Sequence, residues 1–467
     1  MKRALKISSL LCVALPLTLQ ADCLSGDEVA QNSDVTLYEQ VSYVNKQTSA
    51  WQIAGKNPYT RHNGYQEAGG GINSGCSIID NTLDLKLNLY GINEYALKPA
   101  GKFETDDSRT RALINRLSLV YSASDSVQFE AGKFAAPSGM FFLRSPSDLQ
   151  THYYTGFQST RLHDPKMTSA YQASSWGAKM SVDTRDYAFS ASVIPKLATI
   201  DKRYVTSGNW SANQQGNSDE AYLLSFSDHR FGEHTPTVNV RLGPSPSLAL
   251  SDSYHYTPQL TLNVDAAYHR SQQWRHLSHR ETAQVEEYQF PDSLYETKDE
   301  SGVELALGGQ YTSDNFSVFG VEYYFQSEGY SRAEQRQQRE LIDFLNTTTG
   351  YAPLDQAFDS YKYLMASEIS NTANKGMLQG KHYLNAWASL PLAGESTLQP
   401  SLVVNLIDGS TLLGLHYSTP LSAISNQLEA YAGGYSALGS RYSEFALFGD
   451  TLGLYLGFKI LSIRIKR

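Results

Sequence analysis

Residues 83–90 read LDLKLNLY, and this short stretch shows the pattern that recurs along most of the chain. Leucine occupies every second position, and the polar residues Asp84, Lys86 and Asn88 stand between the leucines. Successive side chains of a β-strand point to opposite faces of the sheet. The stretch therefore predicts a strand with one apolar face and one polar face.

The same alternation recurs in other parts of the chain, at 117–121, 127–131, 176–182, 260–268 and 303–311. Many of these runs exceed the ~5–6 residues of ordinary globular strands and approach the ~9–11 residues that a tilted strand needs to cross a bilayer. Turn-forming pairs such as Ser313-Asp314 separate neighbouring runs, which predicts antiparallel hairpins. Other intervals are long and polar, and this asymmetry is typical of outer-membrane barrels.

The composition narrows the possible functions. The formal net charge of −9 argues against nucleic acid as the main partner, because phosphate-binding surfaces need an excess of lysine and arginine. The mean hydropathy of −0.38 argues against a bundle of transmembrane helices but agrees with strands that are apolar on one face. The sequence predicts an all-β fold: a transmembrane antiparallel β-barrel of about 16–18 strands with a partly helical loop insertion. A large exported β-sandwich or solenoid enzyme is the alternative.

The N-terminal residues predict export. Residues 1–21 combine a basic start with an uncharged, mostly apolar stretch, which is typical of a signal peptide. Cys23 and Cys76 remain after cleavage as an even pair in an exported chain, which favours a disulfide between them. We therefore expect a disulfide-closed N-terminal segment over 22–80, either periplasmic or partly plugging the barrel, followed by the barrel itself over 81–467.

The longest interval without strand periodicity, residues 328–379, has helical features. Ser331 and Glu334 have the spacing of a capping box, and Leu341 and Leu345 fall on one face of the helix that would follow. The interval predicts an insertion in the barrel that acts as a plug, an external cap or a partner surface.

The chain resembles bacterial outer-membrane porins, mainly in the strand-and-turn pattern of residues 81–467. Residues 129–139, FEAGKFAAPSG, resemble the porin habit of ending a strand in Gly-Lys before a long loop with proline and glycine. Residues 452–460, LGLYLGFKI, resemble the closing strand, although porins usually stop at a terminal aromatic residue and this chain continues to residue 467. The resemblance implies that an early long loop, here 136–170, folds inward and narrows the channel.

The resemblance implies a channel in the outer membrane of a diderm (Gram-negative) bacterium, for passive or facilitated diffusion of small polar solutes. Its expected partners are outer-membrane lipid, the solute and the barrel-assembly machinery, with a homotrimer expected from the resemblance only. Neither catalytic residues nor a cofactor are expected, and the spacing of cysteine and histidine predicts no zinc site.

The charges on the polar strand faces are the candidate site residues. A basic ladder for anions is predicted from Lys86, Arg116, Lys133 and Lys179. Three carboxylates are expected to face it, namely Asp84, Glu130 and Glu304. The alternative is that these charges only solvate the lumen or pair with one another, because strand register decides which of them meet.

Two further functions stay open. A barrel-borne hydrolase of lipid or lipopolysaccharide needs a serine beside a histidine, and the His276/Ser278 and His416/Ser418 pairs each place the two residue types on one strand face. With 11 histidines in the chain, such pairs also arise by chance. The other function is a structural barrel that docks another complex.

Overall fold

The computed structural model describes most of the chain. The described residues are 23, 32–52, 63–97, 108–135, 139–150, 174–197, 217, 219–272, 274–374 and 378–460. The signal peptide predicted over 1–21 and the C-terminal extension over 461–467 lie outside them.

Within these ranges, 18 strands form one antiparallel sheet that closes on itself, because the last strand pairs with the first. The barrel strands are β1 (Ser33–Lys46), β2 (Gly64–Ile79), β3 (Leu83–Ala96), β4 (Ser108–Ser124), β5 (Val127–Phe134), β6 (Ser175–Asp183), β7 (Tyr187–Ile194), β8 (Ala221–Asp228), β9 (Thr237–Leu242), β10 (Ser247–His255), β11 (Leu260–His269), β14 (Gly302–Thr312), β15 (Val318–Gln326), β16 (His382–Pro391), β17 (Thr397–Asn405), β18 (Thr411–Pro420), β19 (Leu428–Leu438) and β20 (Asp450–Ile460). The short strands β12 (Arg275–Leu277) and β13 (Tyr295–Thr297) form a separate hairpin. The predicted fold class is confirmed.

The register shows why the sequence alternates. Directly paired residues lie on the same face of the sheet. Leu83 pairs with Tyr121, which is exposed on the outer face, and Asp84 pairs with Val120, which is buried on the inner face. The apolar positions thus form the outside of the barrel, and the polar positions line its interior.

The boundary predicted at residue 81 is wrong, because the barrel begins at Ser33. β1 pairs with β20 on one side and with β2 on the other, so both are wall strands. A Cβ at Gly69 would meet the ring of Tyr38, and a Cβ at Gly71 the ring of Tyr90, each at less than 3 Å. The two glycines therefore leave room for the tyrosine rings of the neighbouring strands β1 and β3 to lie against β2. The disulfide between Cys23 and Cys76 is present as predicted.

The two ends of the barrel differ. At one end the connections are short, as at 80–82, 125–126, 184–186 and 313–317. The start of β1 and the end of β20 lie at this end, because Leu37 pairs with Ile460. The opposite end carries the long connections and the helices.

In the part of the chain that the structure describes, three α-helices belong to the long-loop end: α1 (His279–Glu286), α2 (Arg332–Leu345) and α3 (Ala352–Asn374). The last two form the helical insertion between β15 and β16. Ser331 and Glu334 make both hydrogen bonds of the predicted capping box, and Leu341 and Leu345 are buried. Among the helices that the structure describes, none is long and apolar enough to cross a membrane.

Candidate functional site: the barrel lumen

An inward segment, residues 139–150, comes after β5 in the sequence and lies inside the barrel. Glu322 is on the inner face of β15, since its neighbour Val321 is exposed on the outer face. Its carboxylate accepts the backbone N–H groups of Phe142 at 2.7 Å and Leu143 at 3.0 Å. The porin resemblance implies such a loop. The rest of the predicted loop, 136–138 and 151–170, lies outside the described residues.

A buried ion pair fixes the middle of the inward segment. Arg144 donates from Nε to Oε2 of Glu304 at 2.9 Å and from Nη2 to Oε1 at 3.1 Å. His269 Nε2 lies 3.5 Å from Oε1 of the same carboxylate. All three side chains are buried, so loss of the arginine would leave a carboxylate in a poorly solvated site.

The end of the inward segment is hydrogen-bonded to the inner faces of two more strands, β11 and β9. Ser147 donates its hydroxyl to Asp265 of β11 at 2.6 Å. Asn239 of β9 donates to the carbonyl of Ser147 at 3.2 Å, and Arg241 donates to the carbonyl of Leu149 at 2.9 Å. The inward segment therefore runs along the wall from β15 to β9.

Apolar packing completes this side of the lumen, which we call the packed wall (the inner faces of β14–β19). Leu143 of the inward segment, Leu378 after α3 and Phe445 of the β19–β20 connection all pack there. Their contacts are buried residues of the wall strands: Ala306, Tyr324, Tyr383, Val403, Leu412, Tyr435 and Ala437. Segments from three loops thus narrow the pore from the same side.

The inner face of β3–β6, which we call the open wall, carries a charge cluster. Glu130 accepts hydrogen bonds from Arg116 Nη2 at 2.8 Å and from Ser118 at 2.6 Å, and Lys179 Nζ lies 3.7 Å away. The Arg116 side chain is 43% exposed and the Lys179 side chain 21%, whereas Glu130 is 7% exposed. The two cations therefore face the lumen water, and the carboxylate lies behind them.

The other predicted lumen charges fall into two groups. Asp84 and Lys86 lie on the inner face of β3 and pair at 3.3 Å, with both side chains partly exposed. Lys133 is completely buried at the end of β5 and offers no surface to a solute. Glu304 belongs to the packed wall and not to the cluster around Glu130, so the predicted charges do not form one continuous site.

Sequence reasoning left Arg144, Asp265 and Glu322 out of the site, although each lies on the lumen side. The period of two indicates Asp265 and Glu322, which stand between apolar residues in their strands. Arg144 lies in a loop, where alternation gives no signal.

A folded cap occupies the long-loop end. Its apolar core joins side chains from the β12–β13 hairpin, the three helices and the connections after β1 and β19: Trp51, Leu277, Val285, Tyr295, Leu341, Ile342, Phe358, Met365 and Leu447 among them. Asn346 after α2 donates to the carbonyl of Ala50 at 2.9 Å, and Arg332 donates to the carbonyl of Ile407 at 3.2 Å. The cap thus links loops from well-separated strands.

A half-buried carboxylate connects α2 to the hairpin of the cap. His276 Nδ1 lies 2.8 Å from Glu334 Oε1, and Lys298 Nζ donates to that oxygen at 3.0 Å. Burial opposes the ionisation of Glu334. Hydrogen bonds from His276, Ser331 and Lys298 outweigh it and hold the pKa of this carboxyl well below its ordinary value. The carboxylate is therefore a charged structural link in the cap.

A second carboxylate joins the β19–β20 connection to the packed wall. Glu444 accepts hydrogen bonds from Tyr383 at 2.6 Å, from Asn405 at 2.7 Å and from the backbone N–H of Gln379 at 2.8 Å. Burial and the nearby Asp408 carboxylate raise the pKa of Glu444 to about 7, against the effect of these donors. We therefore expect the hydrogen bonds of this junction to depend on pH near neutrality.

The histidines of the two serine–histidine pairs contact structural partners. His276 contacts Glu334 in the cap. His416 of β18 lies with its Nδ1 2.8 Å from the hydroxyl of Tyr455 on β20. Ser278 is the N-cap residue of α1. Among the described residues, no group of three or more His, Cys, Asp or Glu side chains is arranged to hold a metal ion.

Solved structures share the fold. The chain is similar to the crystal structure of Pseudomonas aeruginosa OccK8 (OprE), with 10% identity over 92% of this chain and 97% of that chain and a TM-score of 0.50. It is also similar to Pseudomonas aeruginosa OccD3 (OpdP), with 10% identity over 97% and 96% of the two chains and a TM-score of 0.48. Both are outer-membrane porins. No protein-family model matches the sequence, and no curated protein matches it.

Proposed function

We propose that the protein is an outer-membrane channel through which small polar solutes diffuse, and that its narrow part prefers anions. The exposed apolar band around a closed barrel supports a membrane location, and the porin fold supports the outer membrane of a Gram-negative bacterium. Contact with the barrel-assembly machinery and a homotrimer stay predictions from the resemblance.

The observation that carries the proposal is the unequal exposure of charge on the open wall. Arg116 and Lys179 present cationic groups to water, whereas their shared partner Glu130 is buried behind them. On the packed wall, Glu304 is neutralised by Arg144. A solute that passes the inward segment therefore meets more accessible positive charge than negative charge, and lumen charge sets ion preference.

Size selection follows from the inward segment. It is attached to the wall through Glu322, Glu304 and Asp265, so it lies inside the pore as a fixed obstruction. A fixed obstruction sets a constant size limit, and the charges opposite it act on solutes at short range.

Planar-bilayer recordings of the purified protein test this proposal. We expect conductance steps of stable size and a reversal potential in a KCl gradient that indicates preference for chloride. Charge removal in the double variant Arg116→Gln/Lys179→Gln is expected to shift selectivity strongly towards cations, because Glu130 then loses both cations. Arg280→Gln on the outer surface of the cap is the matched control, since its side chain is 80% exposed.

A barrel that never conducts ions would contradict the channel. Cation preference in the unmodified protein, or an unchanged reversal potential in the double variant, would contradict the role of the open wall. Lipid hydrolysis by a sealed barrel would instead support the hydrolase, and His276→Ala or His416→Ala would then identify the active pair.

A further inference from the structure

Bulky apolar side chains stand in consecutive turns at the short-turn end of the barrel. They are Phe231 between β8 and β9, Tyr256 between β10 and β11, Phe316 between β14 and β15, Leu392 between β16 and β17, and Ile424 between β18 and β19. Their exposed fractions run from 45% to 80%, so packing within the barrel does not account for them. Because these hairpins follow one another around the sheet, the side chains form one row, which we call the apolar arc.

The turns of the other half of this end are polar. Residues 80–82, between β2 and β3, read DNT, and residues 184–186, between β6 and β7, read TRD. Between β4 and β5 the turn has Asp125 and Ser126. Such residues are usual in turns that lie in water. The two halves of one end therefore suit different surroundings.

The apolar arc continues the outward-facing apolar band of the strands. Tyr254 is on the outer face of β10, since it pairs with the exposed Leu262. The ring of Tyr256 in the turn meets the ring of Tyr254 edge-on, with centroids 6.1 Å apart. Leu392 follows the outward-facing Leu390 of β16 by two positions, which keeps it on the outer side. The arc is thus an extension of a surface that already faces lipid.

The turn tips also lie close to the membrane interface. Tyr311 and Phe319 pair on the outer face near the end of the β14–β15 ladder, and both are exposed. Tyrosine rings at such positions are typical of the boundary between lipid and water. Only Thr312, Val318 and the turn separate Phe316 from this pair, so Phe316 lies on the order of 5 Å farther out. The polar region of each leaflet is roughly 5–8 Å thick, so this tip is within it.

Phe316 gains little from its own turn. Its φ of 63° is in the left-handed region, which bulky side chains rarely adopt, and its ring is the most exposed of the arc at 80%. The turn is held by Ser313, whose N–H donates to the carbonyl of Ser317 at 2.8 Å, and this bond does not involve the ring. Any stabilisation from the phenyl ring therefore comes from outside the barrel.

We propose that the apolar arc inserts among the phospholipid headgroups of the inner leaflet and anchors the β8–β19 half of the barrel there. Short turns of outer-membrane barrels face the periplasm, which places the arc at that leaflet. Insertion removes the apolar area of these side chains from water. The proposal rests on the barrel lying in a membrane, but it does not depend on what the pore conducts.

Charge beside the arc favours one kind of headgroup. Glu233 follows Phe231 in its turn, Asp314 precedes Phe316, and Glu395 follows Leu392. Carboxylates at this depth attract the ammonium group of a zwitterionic lipid such as phosphatidylethanolamine and repel anionic headgroups. The arc therefore fits a leaflet rich in phosphatidylethanolamine.

Spin labels on introduced cysteines are the first test. The two cysteines that follow the predicted signal peptide form a disulfide, so a thiol reagent labels only the introduced side chain. In vesicles of phosphatidylethanolamine and phosphatidylglycerol, labels at Phe316→Cys and Ile424→Cys are expected to collide more with oxygen, which concentrates in lipid, than with a water-soluble nickel chelate. Asp125→Cys, in a polar turn, is the matched control and is expected to show the opposite preference.

Removal of the anchors is the second test, which needs no label. In Phe316→Ser/Ile424→Ser, we expect unfolding by urea from the same vesicles to be roughly tenfold faster or more, because two bulky side chains no longer hold the turns in lipid. Asp125→Ser/Arg185→Ser, in the polar turns, is the matched control and should unfold at the rate of the unmodified protein.

Photo-cross-linking in growing cells separates lipid from a protein partner. With benzoylphenylalanine in place of Phe316, we expect adducts with lipid and no protein adduct of discrete mass.

Three results would overturn the proposal. The labels at Phe316→Cys and Ile424→Cys could be as accessible to the nickel chelate as the label at Asp125→Cys. The variant Phe316→Ser/Ile424→Ser could unfold from vesicles no faster than its control. A discrete protein adduct at position 316 would make a periplasmic protein the occupant in place of lipid.

Discussion

The two walls of the lumen are built from strands of the same sheet, yet they carry charge in opposite ways. On the packed wall, Glu304 and Glu322 are covered by the inward segment and bonded to it. On the open wall, Arg116 and Lys179 are partly exposed, and nothing in the described part of the chain covers them completely. The same period-two pattern thus produces an anchoring surface on one side and a solute-facing surface on the other.

The difference shows that a lumen charge acquires its role from what lies over it. A carboxylate that holds backbone N–H groups or a buried arginine stabilises loop position, and its negative charge is largely cancelled for a passing solute. A cation left in water remains available for solutes. Substitutions on the two walls are therefore expected to have different effects.

The largest effect is expected from Arg144→Ala on the packed wall. The change leaves Glu304 buried without its arginine, and breaking such a pair typically costs about 3–5 kcal/mol. We expect the inward segment to detach, with higher single-channel conductance and faster proteolytic cleavage within 139–150. Both are measured on the purified barrel.

Arg116→Ala on the open wall is the control for this change. Glu130 keeps Ser118 and Lys179, so the inward segment should stay in place while ion selectivity changes. Equal conductance in Arg144→Ala and the unmodified protein would mean that the ion pair does not hold the segment.

An intermediate effect is expected from Glu322→Gln. An amide offers one acceptor oxygen, so one of the N–H groups of Phe142 and Leu143 loses its partner, and hydrogen bonds to charged groups contribute about 1.5–3 kcal/mol. We expect brief increases in current from partial release of the segment, visible as channel noise. Glu395→Gln, in a turn at the far end of the barrel, should leave the noise unchanged.

The smallest effect is a pH dependence at Glu444. Its folded-state pKa of about 7 lies above the ordinary value of 4.5, so the closed connection is favoured at low pH. That advantage is lost as the pH rises from about 4.5 through 7, because the open form releases its proton first. Hydrogen exchange in residues 439–449 should therefore be faster at pH 8 than at pH 5, beyond the intrinsic chemical rate.

Glu444→Gln removes the titrating group and is expected to abolish this difference. Asp355→Asn in the exposed start of α3 is the matched control. If hydrogen exchange in 439–449 differed equally between pH 8 and pH 5 in Glu444→Gln and in the unmodified protein, another titrating group would be responsible for the pH dependence.

The fold was predictable because a barrel strand in a membrane must alternate. The leucines at 83, 85, 87 and 89 face outward, and Asp84, Lys86 and Asn88 face inward. The alternation alone was enough to predict these two faces, without knowing which strands pair. β2 was missed because glycines that accommodate the rings of Tyr38 and Tyr90 remove the alternation. Glycine occurs both where the backbone is flexible and where a neighbouring ring leaves no room for a side chain, and the sequence does not distinguish the two.

The site was only partly predictable. Period two placed Arg116, Glu130 and Lys179 on one face, but their contact depends on register, which one sequence does not reveal. Glu304 was placed in the lumen, yet its partner Arg144 comes from a loop 160 residues away in sequence. Contacts between residues so far apart in sequence form only once the barrel has closed, and no local sequence pattern predicts them.

The disulfide bears on how the barrel is made. Cys23 precedes β1 and Cys76 lies in β2, so the bond encloses the very strand to which β20 must finally attach. Both cysteines leave the ribosome early, and an oxidising compartment is able to link them before the rest of the polypeptide arrives. The β1–β2 hairpin is then already cross-linked when β20 pairs with β1 and closes the barrel. The disulfide also opposes separation of β1 from the sheet at this closing pair.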